Sequence, residues 1–293
     1  MTDRSQPAIL APPPHVGRSL TFRIAPDADL RGALRRLRDG LSIDCGVIGL
    51  GEPAILALGK TIPGLRTFPA MSGAACSVPS TQEALCILLR GRDRGDVFDL
   101  TQHIRSLVDK AFLLVDSNDT FKYRDGRDLT RFEDGTENPK GKKAAKAAIV
   151  ADGEHLRGSS FTVVQRWVHD LARFSGFEEA HRETLIGRRA ESNEEIADAP
   201  PSAHVKRAEQ ESFDPEAFML RRSMPWASAT EEGLEFVAHV ESLDRFERVL
   251  HRMVGHDDGI VDGLFSFSRP VTGGYYWCPP IEDGKLDLAI LGI

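Results

Sequence analysis

Long apolar runs are missing from this chain of 293 residues, and cysteine is scarce, with four. No stretch approaches the roughly 18 apolar residues of a helical membrane span, so no membrane partner is expected. The thiols Cys45, Cys76, Cys86 and Cys278 stand far apart and form no C-x-x-C pair. That spacing supports neither a zinc site nor a covalently attached metal cofactor. Their mostly apolar neighbours read as the setting of buried, reduced thiols in a cytoplasmic protein. A basic excess is missing too: the net charge is −7, which argues against a nucleic-acid partner because phosphate binding needs a basic face. Residues 1–14 lack the charged-then-apolar pattern of a secretory signal and hold no twin-Arg pair. Their Pro12-Pro13-Pro14 run reads as an extended arm.

What is present is the composition of a globular protein, 41% hydrophobic and 28% charged, with length for one large domain or two ordinary ones. Residues 19–25 alternate as a strand. Asp27 or Asp29 is placed to cap a helix that runs to about Gly40, with Leu30, Leu34, Leu37 and Leu41 at helical spacing. Residues 46–50 read as a strand, 52–58 as a helical turn, 63–79 as a loop and 84–89 as a strand. Residues 93–110 carry Val97, Leu100, Ile104, Leu107 and Val108 at helical spacing, and 112–123 close with a strand. This β-α-β-β-α-β order is that of the ferredoxin-like unit, an antiparallel sheet with helices on one face. The order returns after residue 150, with strands at 159–169, 217–224, 234–240 and 271–277 and helices at 170–184 and 243–253. The expectation is an α+β protein of two ferredoxin-like domains with antiparallel sheets, at 1–125 and 151–293. Residues 126–150 link them, and 142–148 read as a short solvated helix.

The linking segment holds Arg131-Phe132-Glu133-Asp134-Gly135-Thr136-Glu137-Asn138-Pro139, in which Asp134-Gly135 and Asn138-Pro139 are turn signals. An acid-rich turn ordinarily faces water. Here Phe132 supplies an apolar anchor, and Lys140, Lys142, Lys143 and Lys146 follow at once. A carboxylate fixed by such a turn can be aimed into a pocket as a proton acceptor. His204, in Ser202-Ala203-His204-Val205-Lys206-Arg207, has no second His at i+3 or i+4. On its residues alone it is a surface histidine, a core histidine or a metal ligand. Arg221 and Arg222 fall on a strand, where Met219, Arg221 and Ser223 share one face and Leu220 and Arg222 the other. One Arg is then solvated while the other reaches a pocket, or both are exposed. Arg188 and Arg189 are solvated or bind a carboxylate bidentately. Asp262 reads equally as a turn residue or as the carboxylate partner of a histidine.

Taken together, these segments resemble the dye-decolourising peroxidases, a family of haem peroxidases. The stretch from Phe132 to Pro139 is similar to the family's Gly-x-x-Asp-Gly signature, with Arg131 where the first Gly usually stands. The likeness runs from about residue 17 to 280 and is densest in 132–141, 158–171, 202–226 and 259–280. It implies haem b, held mainly by the C-terminal domain. It also implies reduction of hydrogen peroxide through a ferryl intermediate, with dyes, phenols or similar organic reductants oxidised in turn. Haem handling with little turnover is the alternative, and a haem-free interaction module the third reading.

By the same likeness His204 is the proximal iron ligand and Asp262 its hydrogen-bond partner. Asp134 and Arg221 form the distal catalytic pair, Arg188 meets a propionate, and Ser223 replaces the Asn of the family's Arg-x-Asn-x-Pro segment near the iron. A carboxylate base implies an acidic optimum. Phe265, Phe267, Tyr275, Tyr276 and Trp277 are expected mostly in the core, some against the haem, with a Tyr or Trp near the surface to pass electrons. A homo-oligomer is expected. Some family members enter a protein nanocompartment as cargo by a C-terminal tail. The apolar tail at 286–293 is only faintly similar, so docking on its own domain or on a neighbouring subunit is the expectation.

Overall fold

Leu20 and Phe22 leave the first strand on one face and Ser19 and Thr21 on the other, and this period of two organises the whole sheet. The structure, a computed structural model, describes residues 4–293. Eight strands make its framework: β1 (Val16–Ile24), β2 (Gly46–Leu50), β3 (Leu85–Gly91), β4 (Phe112–Phe121), β5 (Ser160–His169), β6 (Met224–Ala227), β7 (Glu232–Val240) and β8 (Gly274–Cys278). They run β5-β8-β2-β3-β1-β4-β6-β7, and β7 pairs back onto β5, so the sheet closes into a barrel. Every junction is antiparallel. The expected mixture of helices with antiparallel strands is present. The strands of the two halves meet at two narrow seams, Leu50 opposite Trp277 and Thr120 opposite Trp226, which make one closed ring of them.

Nine helices surround or flank the sheet among the described residues: α1 (Pro7–Leu10), α2 (Leu30–Gly40), α3 (Glu52–Ala57), α4 (Arg94–Val108), α5 (Lys142–Ala148), α6 (Leu171–Gly176), α7 (Glu179–Ile186), α8 (His204–Arg207) and α9 (Leu243–Met253). Of the two acids offered before α2, Asp29 is the cap, accepting the Gly32 N–H at 2.8 Å. Asp93 caps α4 through the N–H groups of Gly95 and Asp96. Both satisfy donors that a helix start leaves orphaned. Helix α9 buries Leu243, Phe246, Val249, Leu250 and Met253, a stripe at helical spacing laid on the outer face of β5 and β7.

Three expectations change. The helix foreseen at 170–184 is two, because Gly176, a poor helix former, ends α6 and Phe177 turns in to pack beside Phe132, Phe174 and Phe267. Helix α5 is not solvated on all sides: Ala144, Ala147 and Ala148 are buried, and α5 packs against α1. The N-terminal arm is docked instead of extended. The Gln6 amide donates to the Ile48 and Pro279 carbonyls at 2.8 and 3.1 Å and accepts the Ile48 N–H at 2.8 Å.

The C-terminal tail docks on its own chain. Leu286, Leu288 and Leu291 are buried in the main core, and Arg31 donates to the carbonyls of Leu291 and Gly292 at 3.0 and 3.2 Å. All four thiols are unpaired, and burial pushes Cys45 and Cys278 up to about 12. No helix of the described residues is long and apolar enough to cross a membrane. Leu34, 1% exposed on α2, tests the core: Leu34→Ala should cost about 2–5 kcal/mol in urea unfolding. Leu113→Ala, at a position that is 51% exposed, should stay within about 0.5 kcal/mol.

Candidate active site

The acid-rich turn is built to hold Asp134 in one place. Gly135 has φ +75°, and a Cβ there would lie 2.6 Å from Asn138 Nδ2, so a side chain is excluded both by conformation and by space. The Asn138 N–H closes the turn on the Gly135 carbonyl at 3.0 Å. The Asn138 side chain then clamps the loop to the short strand Leu220–Arg221, which itself pairs with β7. Its Oδ1 accepts the Arg221 N–H at 2.8 Å and its Nδ2 donates to the Arg221 carbonyl at 3.1 Å. Phe132 anchors the other end of the turn, edge-on to Phe174 with ring centroids 6.2 Å apart.

Asp134 and Arg221 line the same cavity. Asp134 is partly enclosed by protein and opens onto that cavity and onto a recess beside Tyr123 and Arg222. Loss of water pushes its carboxyl above the ordinary carboxylate range, and the positive charge of Arg221 pulls partly against this. Arg221 makes no ion pair among the described residues, and its Nε is buried without a partner.

His204 opens α8. Its Nδ1–H donates to Asp262 Oδ2 at 2.8 Å. Asp262 is 2% exposed, and its Oδ1 accepts the Leu264 N–H at 2.9 Å. A carboxylate acceptor fixes the tautomer and leaves Nε2 as the basic nitrogen, with no protein partner among the described residues. Arg207, 4% exposed, staples α8 down. It forms a bidentate pair with Asp258 at 2.7 and 2.8 Å and donates to the Arg252 carbonyl at the end of α9. Arg207 carries no motif of its own in the sequence, and Asp258, four residues before Asp262, is the one signal of its partner.

Two adjoining cavities share His204, Ala208, Gln210 and Arg221. The first holds the charges, with Asp134, Glu137, Arg188 and Glu195 among its lining. The second is apolar, with Trp167, Leu234, Phe236, Leu250 and Met253. A slot with apolar walls, a charged mouth and one free imidazole nitrogen fits the donor set of a haem. The unpartnered Arg221 Nε and Gln165 Nε2, both buried at its lining, fit a group that fills the slot. Trp167, Gln165 and His169 were missed as wall residues. Their spacing of two along β5 was the signal. His169 is held by Ser268 at 2.7 Å and by Asp128 at 3.2 Å.

The other candidates fall differently. Arg188 lines the cavity mouth but is already engaged, by Glu137 at 2.6 Å, Glu195 at 3.4 Å and the Asn193 carbonyl at 2.9 Å. Arg189 turns away onto Glu183. Ser223 lines neither of the two joined cavities. Its short side chain stays on the backbone, where Oγ accepts the Val237 N–H at 3.3 Å, and it faces a third recess near Tyr123 and Asn138. Neither Arg221 nor Arg222 is free in solvent, because Arg222 points into the barrel interior. Tyr275, Tyr276 and Trp277 are 0, 3 and 0% exposed, which overturns the expectation of a surface relay through them. Tyr275 packs on Phe68 and Phe246 as core.

Asn138→Ala should leave the Arg221 N–H and carbonyl unpaired and lower stability by about 1–3 kcal/mol in denaturant unfolding. Asn138→Asp, which keeps an acceptor for the N–H, should lose less.

Residues 125–283 match the family model described as Dyp-type peroxidase, C-terminal. A dye-decolorizing peroxidase of Mycobacterium tuberculosis is 30% identical over 245 residues, which cover 80% of this chain and 73% of that protein. One from Rhodococcus erythropolis is 29% identical over 268 residues, covering 87% and 78%. Among solved structures, a dye-decolorizing protein from V. cholerae superposes with a TM-score of 0.86 at 27% identity, over 97% of this chain and 98% of that one. A DypB variant from Rhodococcus jostii, in complex with haem, superposes with a TM-score of 0.86 at 28% identity, over 93% and 95%.

Proposed function

The chain belongs to the Dyp-type peroxidase family, and from that premise we propose that it is a haem peroxidase, reducing hydrogen peroxide with electrons from an organic reductant. The observation that carries the reading is the meeting of Asp134, Arg221 and the free Nε2 of His204 at one cavity. Haem handling alone would need His204 and the apolar slot. It would not need a carboxylate raised by burial and set by a glycine turn against an unpaired guanidinium.

When bound, the haem supplies the iron that takes two oxidising equivalents from peroxide and hands them on to the reductant. His204 would hold it through Nε2, and the Apolar walls around Trp167 and Leu250 would enclose its faces. Asp262 keeps the Nδ1 proton of His204 directed at a carboxylate, which raises the basicity of Nε2. Asp134, deprotonated, accepts a proton from hydrogen peroxide on a carboxyl oxygen and returns it to the departing oxygen, which leaves as water. Arg221 stabilises the negative charge that grows as the O–O bond breaks. Arg188 would reach a haem carboxylate only by sharing its guanidinium with Glu137 and Glu195. The strand orders β2-β3-β1-β4 and β8-β5-β7-β6 support reading residues 1–125 and 151–293 as two ferredoxin-like units joined by 126–150.

Stopped-flow mixing of the haem-loaded protein with peroxide tests the pair. Asp134→Asn should slow the peroxide step by about 10²–10⁴, and an unchanged rate would remove Asp134 as the base. The pH dependence has a definite sign. A base works only when deprotonated, so the acid limb should lie above the ordinary Asp value of about 3.9. Arg221 lowers the Asp134 pKa against the effect of burial, so Arg221→Leu should move that limb to still higher pH as well as slow the step. A limb that moves to lower pH would contradict the electrostatic pairing.

A further inference from the structure

Arg222 follows the short strand Leu220–Arg221, with its N–H on the Val237 carbonyl at 2.7 Å, and points opposite to Arg221 into the interior of the closed sheet. There it lines a half-open cavity together with Arg90 of β3, on the other side of the sheet from His204. Arg18 reaches the same space but is committed to Asp119 in a bidentate pair at 2.5 and 3.0 Å. Arg90 and Arg222 have no carboxylate partner among the described residues. Arg90 donates to the Pro12 carbonyl at 2.9 Å. Arg222 donates to the Leu10 and Arg221 carbonyls at 2.9 and 3.0 Å, and its Nε is buried without a partner.

The surroundings do not balance these charges. Glu235, 3% exposed, is pushed up by burial, and His239, 1% exposed, is pushed down to about 3 by burial and by Arg222. Glu235 already faces Arg166, with Nε 3.8 Å from Oε2, so it is not free to balance the two arginines, and the histidine is neutral at pH 7. Burial disfavours the charge on both arginines, and Arg90 adds to the effect on Arg222. Like charges side by side and partly out of water are unfavourable unless an anion joins them. Holding the N-terminal arm by its carbonyls explains some of the hydrogen bonds of the two arginines. It leaves the paired charge and the idle Nε unexplained.

We propose that this interior cavity is a second binding site, separate from the haem slot, for a small organic carboxylate. The carboxylate lies between the Arg90 and Arg222 guanidiniums, where two forks of donors suit its paired oxygens. The apolar body lies against Leu88, Val237 and Met224. A bare inorganic anion would leave those walls without a partner.

Isothermal titration of the haem-loaded protein with benzoate as the probe tests the assignment. The expected result is saturable one-site binding that leaves the Soret band in place and weakens about tenfold or more in Arg222→Gln and in Arg90→Gln. Those substitutions also touch the arm, so Leu88→Trp is the second variant. It keeps both arginines, fills the cavity, and should abolish binding while the Soret band persists. Absence of saturable heat at millimolar benzoate overturns the proposal. So does binding that survives Leu88→Trp. A benzoate-induced Soret shift overturns it as well, because the anion then sits on the haem side.

Discussion

The pairing of β7 with β5, from Gly233 opposite Val168 to Val240 opposite Phe161, is the constraint on which the rest depends. It holds these strands side by side in a ring that the two seams between the halves complete, and a closed ring has only an inside and an outside. Along these two strands the period of two then sorts every side chain. Gln165, Trp167, His169, Leu234 and Phe236 go outward to the slot under α9, while Arg166, Val237 and His239 go inward. The short strand Leu220–Arg221 lies along β7 in the same register, so adjacent arginines are sent to opposite sides of the sheet. One faces Asp134 and the other faces Arg90.

Two aspartates of one chain are thereby given opposite settings. Asp262 is buried yet fully occupied, with one oxygen on His204 and the other on the Leu264 N–H. It serves as a fixed acceptor. Asp134 is enclosed with no side-chain donor bonded to it, so loss of water dominates and its carboxyl is raised. One residue type is thus given an open or a filled set of acceptor sites by its environment. Neither would hold its place without supports outside the cavity: the Asn138 clamp for the first, and the Arg207–Asp258 staple on α8 for the histidine that meets the second.

Local pattern made much of this legible. The strands and helices of the first half follow from alternation, from apolar residues at helical spacing and from the acids offered before α2, of which Asp29 is the cap. His204, Asp262, Asp134 and Arg221 were nameable because short motifs carry them. Closure of the sheet was not legible, since its two seams rest on single pairs, Leu50 with Trp277 and Thr120 with Trp226. No periodicity announces such contacts. Ser223 was misplaced for a related reason. Its motif position was readable, but its hydroxyl is taken by a backbone N–H fourteen residues away. The burial of Tyr275, Tyr276 and Trp277 follows from β8 lying between β5 and β2 in the ring, which the composition of that segment could not reveal.

The most direct test of the account is the absorption spectrum of the protein reconstituted with haem, wild type beside His204→Ala at equal protein and haem. The account predicts a Soret band in the wild type that is lost or displaced in the variant, because Nε2 of His204 is the nitrogen left free by Asp262. Identical spectra, with equal haem retained after gel filtration, would contradict it and send the search for the ligand elsewhere in the chain.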